Sequence, residues 1–386
     1  MKNTTVLISG ASIAGPALAY WLARYGCTVT VVEKAPGTRP GGQAVDFRGA
    51  THLTVLRRMG ILEEVRRLQT GGADQDIIDG NGRRLAVMPG SFTGGDVEIL
   101  RGDLAALLYE TTSGSCEYLF GDSVTSLTET SGGVHVTFER AAPRTFDLVV
   151  GADGIHSNVR RLAFGPESDY VRHLGHYYAL ARLGGAERSV MYNEPGRLVA
   201  VGGPKASAFF VFASERLDYD REDTAEQKRI LAGAYQGAGW KVPGLIARLP
   251  DADEFYLDSL SKVEMDRFTK GRVALLGDAA YGNTLSGFGS GLAVVGAYVL
   301  AGELAMAGGD HRVAFGRYED AFRRYAGVAR RATAGAFLAP PTWGRIRMRN
   351  WMFKRRLLLR AMLRITDRFA TNIDLRAYES LAGTVS

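Results

Sequence analysis

The chain has 386 residues, of which 46% are hydrophobic and 23% are charged. This composition is typical of a soluble globular protein with a core large enough for two domains, and it excludes a disordered, tail-like chain. The net charge of +6 does not indicate a nucleic-acid partner, because much of it lies near the end of the chain, in residues 343–369. No apolar run approaches a membrane span and the first residues lack the features of a signal peptide, so we expect a cytoplasmic protein.

The stretch VLISGASIAGPALAYWL, from Val6 to Leu22, predicts a buried strand, a glycine turn and a helix. In a dinucleotide-binding turn of this kind, Gly10 permits the tight turn and Gly15 lets the helix pack closely on the strand. Ser12 stands where such a turn has its middle glycine, and its hydroxyl can donate to a phosphate oxygen at the helix N-terminus. The alternative is a glycine turn of the same shape that binds no nucleotide.

The next strand, CTVTVVEK, places Glu33 about 20 residues beyond the turn, where an acid binds ribose hydroxyls. An acid here favours FAD or NAD over NADP, because a carboxylate repels the additional phosphate of NADP. The loop APGTRPGGQAVDFRG at 35–49 is a candidate flank of the cofactor site, and it leads into a predicted helix at 51–68.

The remaining elements alternate between two kinds of layer. The sequence IIDGNGRRLAVM predicts a hairpin of a different sheet within residues 76–98, and a helix begins near Asp103. The segment DLVVGADGIHSNVRRLAFG predicts a strand, a turn and a helix, whereas residues 173–270 have mostly strand-like patterns. The last part, from residue 271, returns to a strand, a glycine loop and a long apolar helix. We therefore expect a discontinuous nucleotide-binding domain (1–75, 99–172 and 271–335), a substrate domain (76–98 and 173–270) and a C-terminal helical segment (336–386).

Three separated segments share one design, a short apolar strand that ends in a glycine-rich turn. These turns lie at residues 10–15, 151–154 and 277–291. In an open α/β sheet a ligand lies beyond the carboxyl ends of the strands, so the three turns are expected to meet and to follow one long cofactor.

The combination of GASIAG, Glu33, Arg101 before Asp103, GADGIHSNVR, and GDAA followed by SGFGSGL resembles a known family. It is similar to the FAD-dependent, single-component (class A) monooxygenases of the para-hydroxybenzoate hydroxylase type over residues 4–330. In size the chain also resembles the tetracycline-inactivating monooxygenases. The resemblance implies an α/β fold: a Rossmann-like FAD-binding domain, an interrupting antiparallel-sheet substrate domain and a C-terminal helical segment.

The resemblance also implies a cofactor, an activity and a site. FAD is the cofactor, NAD(P)H binds transiently as reductant, and O2 reacts through a flavin hydroperoxide to hydroxylate an aromatic or polycyclic, natural-product-like small molecule. No side-chain nucleophile is required, so we name no catalytic residue. Asp278 is expected to accept hydrogen bonds from cofactor hydroxyls, and Asp153 is either a cofactor contact or a turn residue. The expected cofactor-binding residues are Gly10, Ser12, Ile13, Ala14, Gly15, Glu33, Lys34, Arg48, Arg101, Asp153, Gly154, Gly277, Asp278, Gly287, Gly289, Ser290, Gly291 and Leu292.

The loop after Asp278 departs from the family pattern. Tyr281 stands where the family usually has histidine, Leu285 where it has proline, and Phe288 where it often has glutamine. Loss of the proline leaves the backbone of this loop less restricted, and Phe288 adds either an aromatic face near the flavin ring or plain packing. We therefore expect a reshaped flavin-ring loop.

The substrate pocket is predicted more coarsely. Aromatic and apolar side chains of the strand-rich layer are candidates for its lining, although the alternation of strands sends half of them to the other face. Arg182 is the candidate cation for an acidic substrate. The expected lining residues are Tyr178, Arg182, Met191, Phe210, Phe212, Leu285 and Phe288.

Several alternatives stay open. An FAD-dependent reductase that saturates isoprenoid double bonds and a flavin-binding protein without turnover both fit the motifs, whereas a halogenase would carry a Trp-x-Trp-x-Ile-Pro motif. We expect no metal site, since Cys27 and Cys116 belong to no Cys/His cluster with zinc spacing. The basic, apolar segment 343–369 is expected to dock on the protein rather than on a membrane, and the oligomeric state is not predicted.

Overall fold

The computed structural model of the protein describes residues 1, 3–39, 41–90, 95–184, 188–202, 208–327, 334–355, 373, 375–378 and 381. In chain order the strands are β1 (Thr5–Ser9), β2 (Thr28–Glu33), β3 (Ala44–Phe47), β4 (Gln75–Ile78), β5 (Arg84–Met88), β6 (Val97–Leu100), β7 (Glu117–Phe120), β8 (Val124–Thr130), β9 (Gly133–Phe138), β10 (Arg144–Phe146), β11 (Leu148–Gly151), β12 (Val171–Ala181), β13 (Val190–Glu194), β14 (Arg197–Val201), β15 (Ala208–Ala213), β16 (Phe255–Val263), β17 (Thr269–Lys270) and β18 (Val273–Leu275).

The helices, numbered in the same way, are α1 (Ala14–Arg24), α2 (Gly49–Arg58), α3 (Leu62–Arg67), α4 (Arg101–Thr112), α5 (Asn158–Ala163), α6 (Glu167–Tyr170), α7 (Thr224–Ala234), α8 (Val242–Ile246), α9 (Asp278–Tyr281), α10 (Gly289–Met306), α11 (His311–Ala326), α12 (Gly335–Leu338) and α13 (Trp343–Phe353). The single helix predicted at 51–68 is two helices, because Gly60 adopts a φ of 77° that ends α2.

A parallel sheet forms the first layer, with the strand order β17-β18-β11-β1-β2-β7. All neighbours in it are parallel except the edge pair β17 and β18. The strands β1 and β11 are apolar and almost wholly buried, as expected for a parallel sheet covered on both faces. This order places β1, β11 and β18 side by side, so the glycine turns that follow them leave the sheet at one edge.

A seven-stranded sheet forms the second layer, with the order β16-β12-β15-β14-β13-β4-β5. The predicted hairpin at 76–98 is present as β4 and β5, and it joins this sheet because β4 pairs in parallel with β13. The other pairs are antiparallel. The α/β fold with an interrupting, mainly antiparallel sheet is thus confirmed, while the division into domains stays a prediction.

The two faces of the seven-stranded sheet have different cores. One face carries Tyr177, Phe210 and Phe212 and packs with Leu231 of α7 and Tyr235 after it. The other face carries Tyr178, Met191 and Leu260 and packs with Leu285 and with residues of α12 and α13. We call these the α7 face and the Tyr178 face. Alternation along the strands separates neighbours such as Tyr177 and Tyr178.

The strand β16 connects the two layers. The N–H group of Val263 at its end donates to the carbonyl oxygen of Gly282 at 2.7 Å, and the N–H group of Thr284 donates to that of Ser261 at 2.9 Å. The Tyr178 face is therefore tied by backbone hydrogen bonds to the loop that follows α9.

Among the described residues, α10 is the one helix that is long and apolar enough to cross a membrane. The expectation that no apolar run approaches such a length was wrong for this segment. The reason is that 78% of α10 is buried inside the protein, and a core helix surrounded on all sides has no polar stripe.

The C-terminal segment is described as far as residue 355, with a few residues beyond 372. Ile346 and Phe353 of α13 are buried, and the guanidinium group of Arg349 donates to Oδ1 of Asn193 at 2.7 Å. This part of the segment therefore packs on the seven-stranded sheet. The rest of the predicted docking segment, 356–369, lies outside the described residues.

Candidate functional site

The three glycine turns meet, as predicted. Gly10 has a φ of 106°, and a Cβ atom on it would lie 2.5 Å from the carbonyl oxygen of Ala152 in the second turn. Gly277 has a φ of 64°, and a Cβ atom there would lie 3.1 Å from Cβ of Ala14. Only glycine permits both this backbone conformation and this approach, so the turns are fitted to one another at one edge of the sheet.

The first turn is tightly packed, and its serine binds the side chain of an arginine. A Cβ atom on Gly15 would lie 1.9 Å from the carbonyl oxygen of Gly10, which gives Gly15 the packing role predicted for it. The Ser12 hydroxyl accepts hydrogen bonds from Nε and Nη2 of Arg101, at 3.2 and 3.0 Å. Sequence reasoning missed this contact, because Arg101 begins α4, far along the chain. The result is a positive charge at the turn expected to bind a pyrophosphate.

Glu33 lies at the end of β2 and faces the same turn. Its two carboxylate oxygens accept hydrogen bonds from the N–H groups of Ala11 and Ala35, each at 2.9 Å. Each oxygen keeps a second lone pair for a ribose hydroxyl. Lys34 instead forms an ion pair with Glu222 on the surface.

Arg48 is placed differently from its prediction. Its guanidinium group is buried, and Nε donates to Oδ2 of Asp46 at 2.6 Å. Arg48 therefore stabilises the end of β3, whereas its predicted cofactor contact has no support from this geometry.

Asp153 and Gly154 belong to the second turn. The Asp153 carboxylate accepts from the N–H groups of Asn158 and Val159, at 2.9 and 3.0 Å, and from the Ser157 hydroxyl. These are donors at the start of α5, and burial raises the pKa of the carboxyl although the hydrogen bonds oppose the shift. The side chain builds its own turn, whereas Gly154, with a φ of 83°, has open space where a side chain would be.

Asp278 follows β18 and has different surroundings. Its side chain is exposed, and no described residue donates a hydrogen bond to it. Although the side chain reaches solvent, the surrounding protein partly desolvates its carboxyl and raises the pKa of that group. The positive charge of Arg101 opposes this shift. A Cβ atom on Gly289 would lie 3.5 Å from Oδ1 of Asp278, so the carboxylate borders the start of α10.

The flavin-ring loop, residues 282–288, joins Asp278 to α10. Leu285 has a φ of 57°, a strained left-handed conformation that proline cannot adopt, so this loop differs from one built on proline. Gly287, with a φ of 78°, borders open space. The reshaping predicted from the sequence is therefore present in the backbone.

The start of α10 contains Gly289, Ser290, Gly291 and Leu292. Gly291 packs on a ring that sequence reasoning missed, since a Cβ atom on it would lie 2.1 Å from His52. The buried imidazole of His52 accepts a hydrogen bond from the N–H group of Arg48 and forms a second one with the Tyr325 hydroxyl. Gly291 and Leu292 are thus buried packing residues, and the first N–H groups of α10 are the groups left to face a ligand.

Several pocket predictions need correction. Phe210 and Phe212 point to the α7 face and are buried there, because strand alternation turns them away from the flavin-ring loop. Arg182 is half-exposed and pairs with Glu254 at 2.5 Å at the end of β12. Phe288 is packed in the core of the parallel sheet.

Tyr178, Met191 and Leu285 do come together, on the Tyr178 face. Tyr281 is also buried, and a Cβ atom on Gly296 would lie 2.3 Å from its hydroxyl, so this ring packs against α10.

A cavity of about 920 Å³ lies at the opposite edge of the parallel sheet, where β18 begins. Thr130, Lys270, Arg272 and Phe315 are among its lining residues. None of the predicted site residues lines it, so it is separate from the turns.

Comparison with known proteins gives consistent results. Residues 3–314 match the protein family described as "FAD binding domain". An uncharacterized protein of Mycobacterium tuberculosis is 43% identical over 329 residues, which are 80% of this chain and 87% of that protein. A flavin-dependent monooxygenase of Legionella longbeachae is 38% identical over 324 residues, which are 80% of this chain and 82% of that protein. The crystal structure of the tetracycline destructase Tet(51) has a TM-score of 0.84 at 30% identity, over 97% of this chain and 100% of that chain.

Proposed function

Because the chain belongs to the family of FAD-dependent class A monooxygenases, we propose that it uses NAD(P)H and O2 to hydroxylate an aromatic or polycyclic small molecule. One observation carries the proposal beyond the family: the Tyr178 face packs against Leu285 of the flavin-ring loop. A substrate between this face and the loop would lie beside the flavin ring and away from the α7 face.

The residues of the three turns fit FAD. Arg101 at the Ser12 hydroxyl supplies positive charge for the pyrophosphate, and Glu33 offers free lone pairs to ribose hydroxyls. The Asp278 carboxylate is exposed and unpaired among the described residues, so it can accept hydrogen bonds from the hydroxyls of the flavin side chain. When bound, FAD supplies the redox chemistry that connects a nicotinamide to O2.

The protein's own part in the reaction is to stabilise charge and to exclude water. The N-terminus of α10 presents N–H groups and the positive end of a helix dipole, which stabilise negative charge on the pyrimidine edge of a reduced ring. Met191 and Leu260 of the Tyr178 face and Leu285 of the flavin-ring loop make the surroundings of this site apolar, which would keep water from the reacting atoms. No side-chain nucleophile takes part in this account.

The polycyclic substrate class is supported by the likeness to a tetracycline destructase. That protein's name points to a large, fused-ring substrate, and this chain matches almost all of its length. NAD(P)H is proposed as a transient reductant, because the chain has one complete dinucleotide fingerprint. A cytoplasmic location is proposed with it, since the one apolar helix of membrane length in the described part of the chain is a core helix.

The test uses the purified protein, NADPH or NADH, air and tetracycline, followed by a panel of polycyclic phenols. We expect substrate-stimulated oxidation of the nicotinamide and a product that has gained one oxygen atom, measured by absorbance and mass spectrometry. Protein from which FAD has been removed is the control and should be inactive until FAD is added. A protein that reduces an isoprenoid double bond without O2 uptake, or that no member of the panel stimulates, would contradict the proposal.

A further inference from the structure

The helix α13 has two sides of opposite character. On the inner side Ile346 and Phe353 are buried against the seven-stranded sheet, and the Phe353 ring meets that of Phe337 edge to face, with the ring centres 6.0 Å apart. At the start of the helix the Thr342 hydroxyl accepts a hydrogen bond from the N–H group of Arg345 at 3.3 Å. These contacts fix the orientation of α13, so its other side is held outward.

The outward side carries the most exposed large hydrophobic side chains in the described part of the chain. The exposed fraction is 65% for Met348, 55% for Trp343 and 51% for Trp351. Because a helix turns once in 3.6 residues, this spacing brings the three side chains to one side of α13. Single exposed apolar residues are ordinary, whereas a cluster of them marks an interaction surface.

The outward side is also basic. Its exposed cations are Arg345, Arg347, Lys354 and Arg355. None of these cations forms an ion pair with a residue in the described part of the chain, and the Arg355 guanidinium group lies over the Trp351 ring, 5.2 Å from its centre. In the sequence no acidic residue stands between Asp320 and Asp367. The surface therefore combines exposed apolar side chains with positive charges that have no local counter-ion.

We propose that the outward side of α13 docks on the surface of an anionic lipid bilayer. Tryptophan favours the headgroup level of a membrane, and arginine and lysine pair with lipid phosphates while their stems lie along apolar surface. The helix lies on the bilayer and does not cross it. The cytoplasmic leaflet carries anionic lipids, so this docking agrees with the proposed cytoplasmic location.

The inference goes beyond the proposed function, since it concerns where the protein is held. It also changes the expectation for segment 343–369, in which packing on the protein and binding to a membrane were alternatives. The helix α13 packs on the seven-stranded sheet with its inner side and leaves its outward side for the lipid.

The composition of the outward side argues against two other partners. A symmetric contact between two copies would bring the arginines of one α13 against those of the other, and the helix has no acidic residue to neutralise them. A nucleic-acid duplex presents phosphates to the cations but offers little apolar surface to Met348 and the two tryptophans. An anionic bilayer provides both kinds of contact.

The first experiment measures partition of the full-length, FAD-loaded protein onto vesicles by co-sedimentation at physiological salt. Vesicles of equal parts phosphatidylglycerol and phosphatidylcholine are compared with vesicles of phosphatidylcholine alone. Each cation near an anionic surface strengthens binding about fivefold, so the outward cations should give about 100-fold stronger partition onto the anionic vesicles, most of it lost at high salt. Equal partition onto both vesicles, or onto neither, would overturn the proposal.

Double substitutions show whether α13 is the part that binds. Trp343→Ser with Trp351→Ser should lower partition at least about tenfold, because two large apolar side chains no longer enter the bilayer. The matched control is Met306→Ser with Val313→Ser, which removes side chains that are 46% and 41% exposed outside α13. The control should partition like wild type. Flavin content and Tm check that both variants are folded, and wild-type partition of the tryptophan variant would overturn the proposal.

A second double variant tests the charges. Arg345→Gln with Arg347→Gln should lower partition onto the anionic vesicles about 25-fold, which is about fivefold for each arginine. Partition onto phosphatidylcholine alone should not change. An unchanged affinity for the anionic vesicles would show that these cations do not meet the lipid and would contradict the proposal.

The second experiment measures insertion of the tryptophans into the bilayer. The chain has four tryptophans; Trp21 is buried and Trp240 is partly buried, so Trp343 and Trp351 are the exposed ones. With phosphatidylglycerol brominated on its acyl chains, we expect tryptophan fluorescence to be quenched on binding. The quenching should disappear in Trp343→Phe with Trp351→Phe. Binding of the wild type without quenching would mean adsorption by charge alone and would overturn the proposal.

The other two partners are tested with the same proteins. Gel filtration without lipid should show no oligomer that Trp343→Ser with Trp351→Ser dissociates, and duplex DNA should bind more weakly than the anionic vesicles. Either opposite result would assign the outward side of α13 to that partner and overturn the proposal. None of these measurements involves turnover, so a failure of the proposed function would leave them unaffected.

Discussion

Asp153 and Asp278 follow two neighbouring strands of the parallel sheet, and both stand in short glycine-rich motifs, yet their surroundings are opposite. Asp153 is enclosed by donors of its own turn, from Ser157, Asn158 and Val159. Asp278 is exposed and receives no hydrogen bond from any residue in the described part of the chain. The comparison shows that a carboxylate in a glycine turn is available to a ligand only where the turn leaves its lone pairs unused.

The difference follows from what comes after each turn. Beyond Asp153 the chain enters α5 within a few residues, so the first N–H groups of that helix point back at the carboxylate. Asp278 is itself the first residue of α9, and no N–H group in the described part of the chain donates to its carboxylate. One acid therefore stabilises the fold, and the other is free to bind the cofactor.

The largest expected effect is the loss of stability in Asp153→Ala. The substitution leaves the N–H groups of Asn158 and Val159 without a partner in the interior, so the free energy of unfolding should fall by about 3 kcal/mol. Urea denaturation measures this change. Asp266→Ala, at an exposed position, is the control and should stay within about 0.5 kcal/mol of wild type. Equal losses in both variants would remove the structural role of Asp153.

Asp278→Ala should show the reverse pattern, with a weaker cofactor site and an intact fold. Loss of a charge-assisted hydrogen bond should weaken FAD binding by about 1.5 to 3 kcal/mol, about ten- to a hundredfold or somewhat more in Kd. Titration of the apoprotein with FAD, followed by flavin fluorescence, measures the change. Saturating FAD should restore activity, and full occupancy without product would show that Asp278 acts in the chemistry rather than in binding.

The pH dependence of stability tests the role of His52, which packs against the start of α10. Burial lowers the pKa of its imidazole from 6.5 to about 4, and the nearby charge of Arg48 adds to this. Below pH 6.5 the imidazole is therefore protonated in the unfolded chain but stays neutral in the folded chain. The free energy of unfolding should fall as pH falls below 6.5, by about 2 kcal/mol between pH 7 and pH 5. Urea unfolding of wild type and of His52→Phe at pH 7 and at pH 5 measures this contribution. Equal losses of stability in the two proteins would show that His52 does not cause the pH dependence.

The smallest effect is expected for Ser12→Gly. The hydroxyl now accepts from Arg101, and without it the guanidinium group is free to turn toward a pyrophosphate. FAD affinity should therefore change by less than about threefold, which is less than about 0.7 kcal/mol. The apoprotein titration used for Asp278→Ala checks this, and a tenfold loss would make Ser12 a direct ligand of the cofactor.

Local signals were sufficient for the turns but not for their neighbours. The turns at Gly10 and Gly15 and the position of Asp278 after β18 could be predicted because strand, glycine turn and helix follow one another within a few residues, whereas the cofactor contact of Asp278 stays a prediction. The contacts of Arg101 with Ser12 and of His52 with Gly291 could not, since each joins segments far apart in the sequence.

The substrate layer shows a second limit. Alternation predicted that half of the candidate residues face away from the pocket, but it could not tell which half meets the flavin-ring loop. Phe210 and Phe212 were therefore assigned to the wrong face, whereas Tyr178 and Met191 lie on the face that packs with Leu285. The hydrogen-bonded cluster of Tyr256, Asp258, His156 and Glu167 was missed because its members come from a strand, a turn and a short helix.

The most direct test of the central claim, that this chain is a monooxygenase which holds FAD along its glycine turns, is a single turnover under isotopically labelled O2. The flavin released on denaturation should be FAD, and each molecule of product formed from a polycyclic phenol should carry one labelled oxygen atom. A protein that releases FMN or no flavin, or a product whose added oxygen comes from water, would contradict the account.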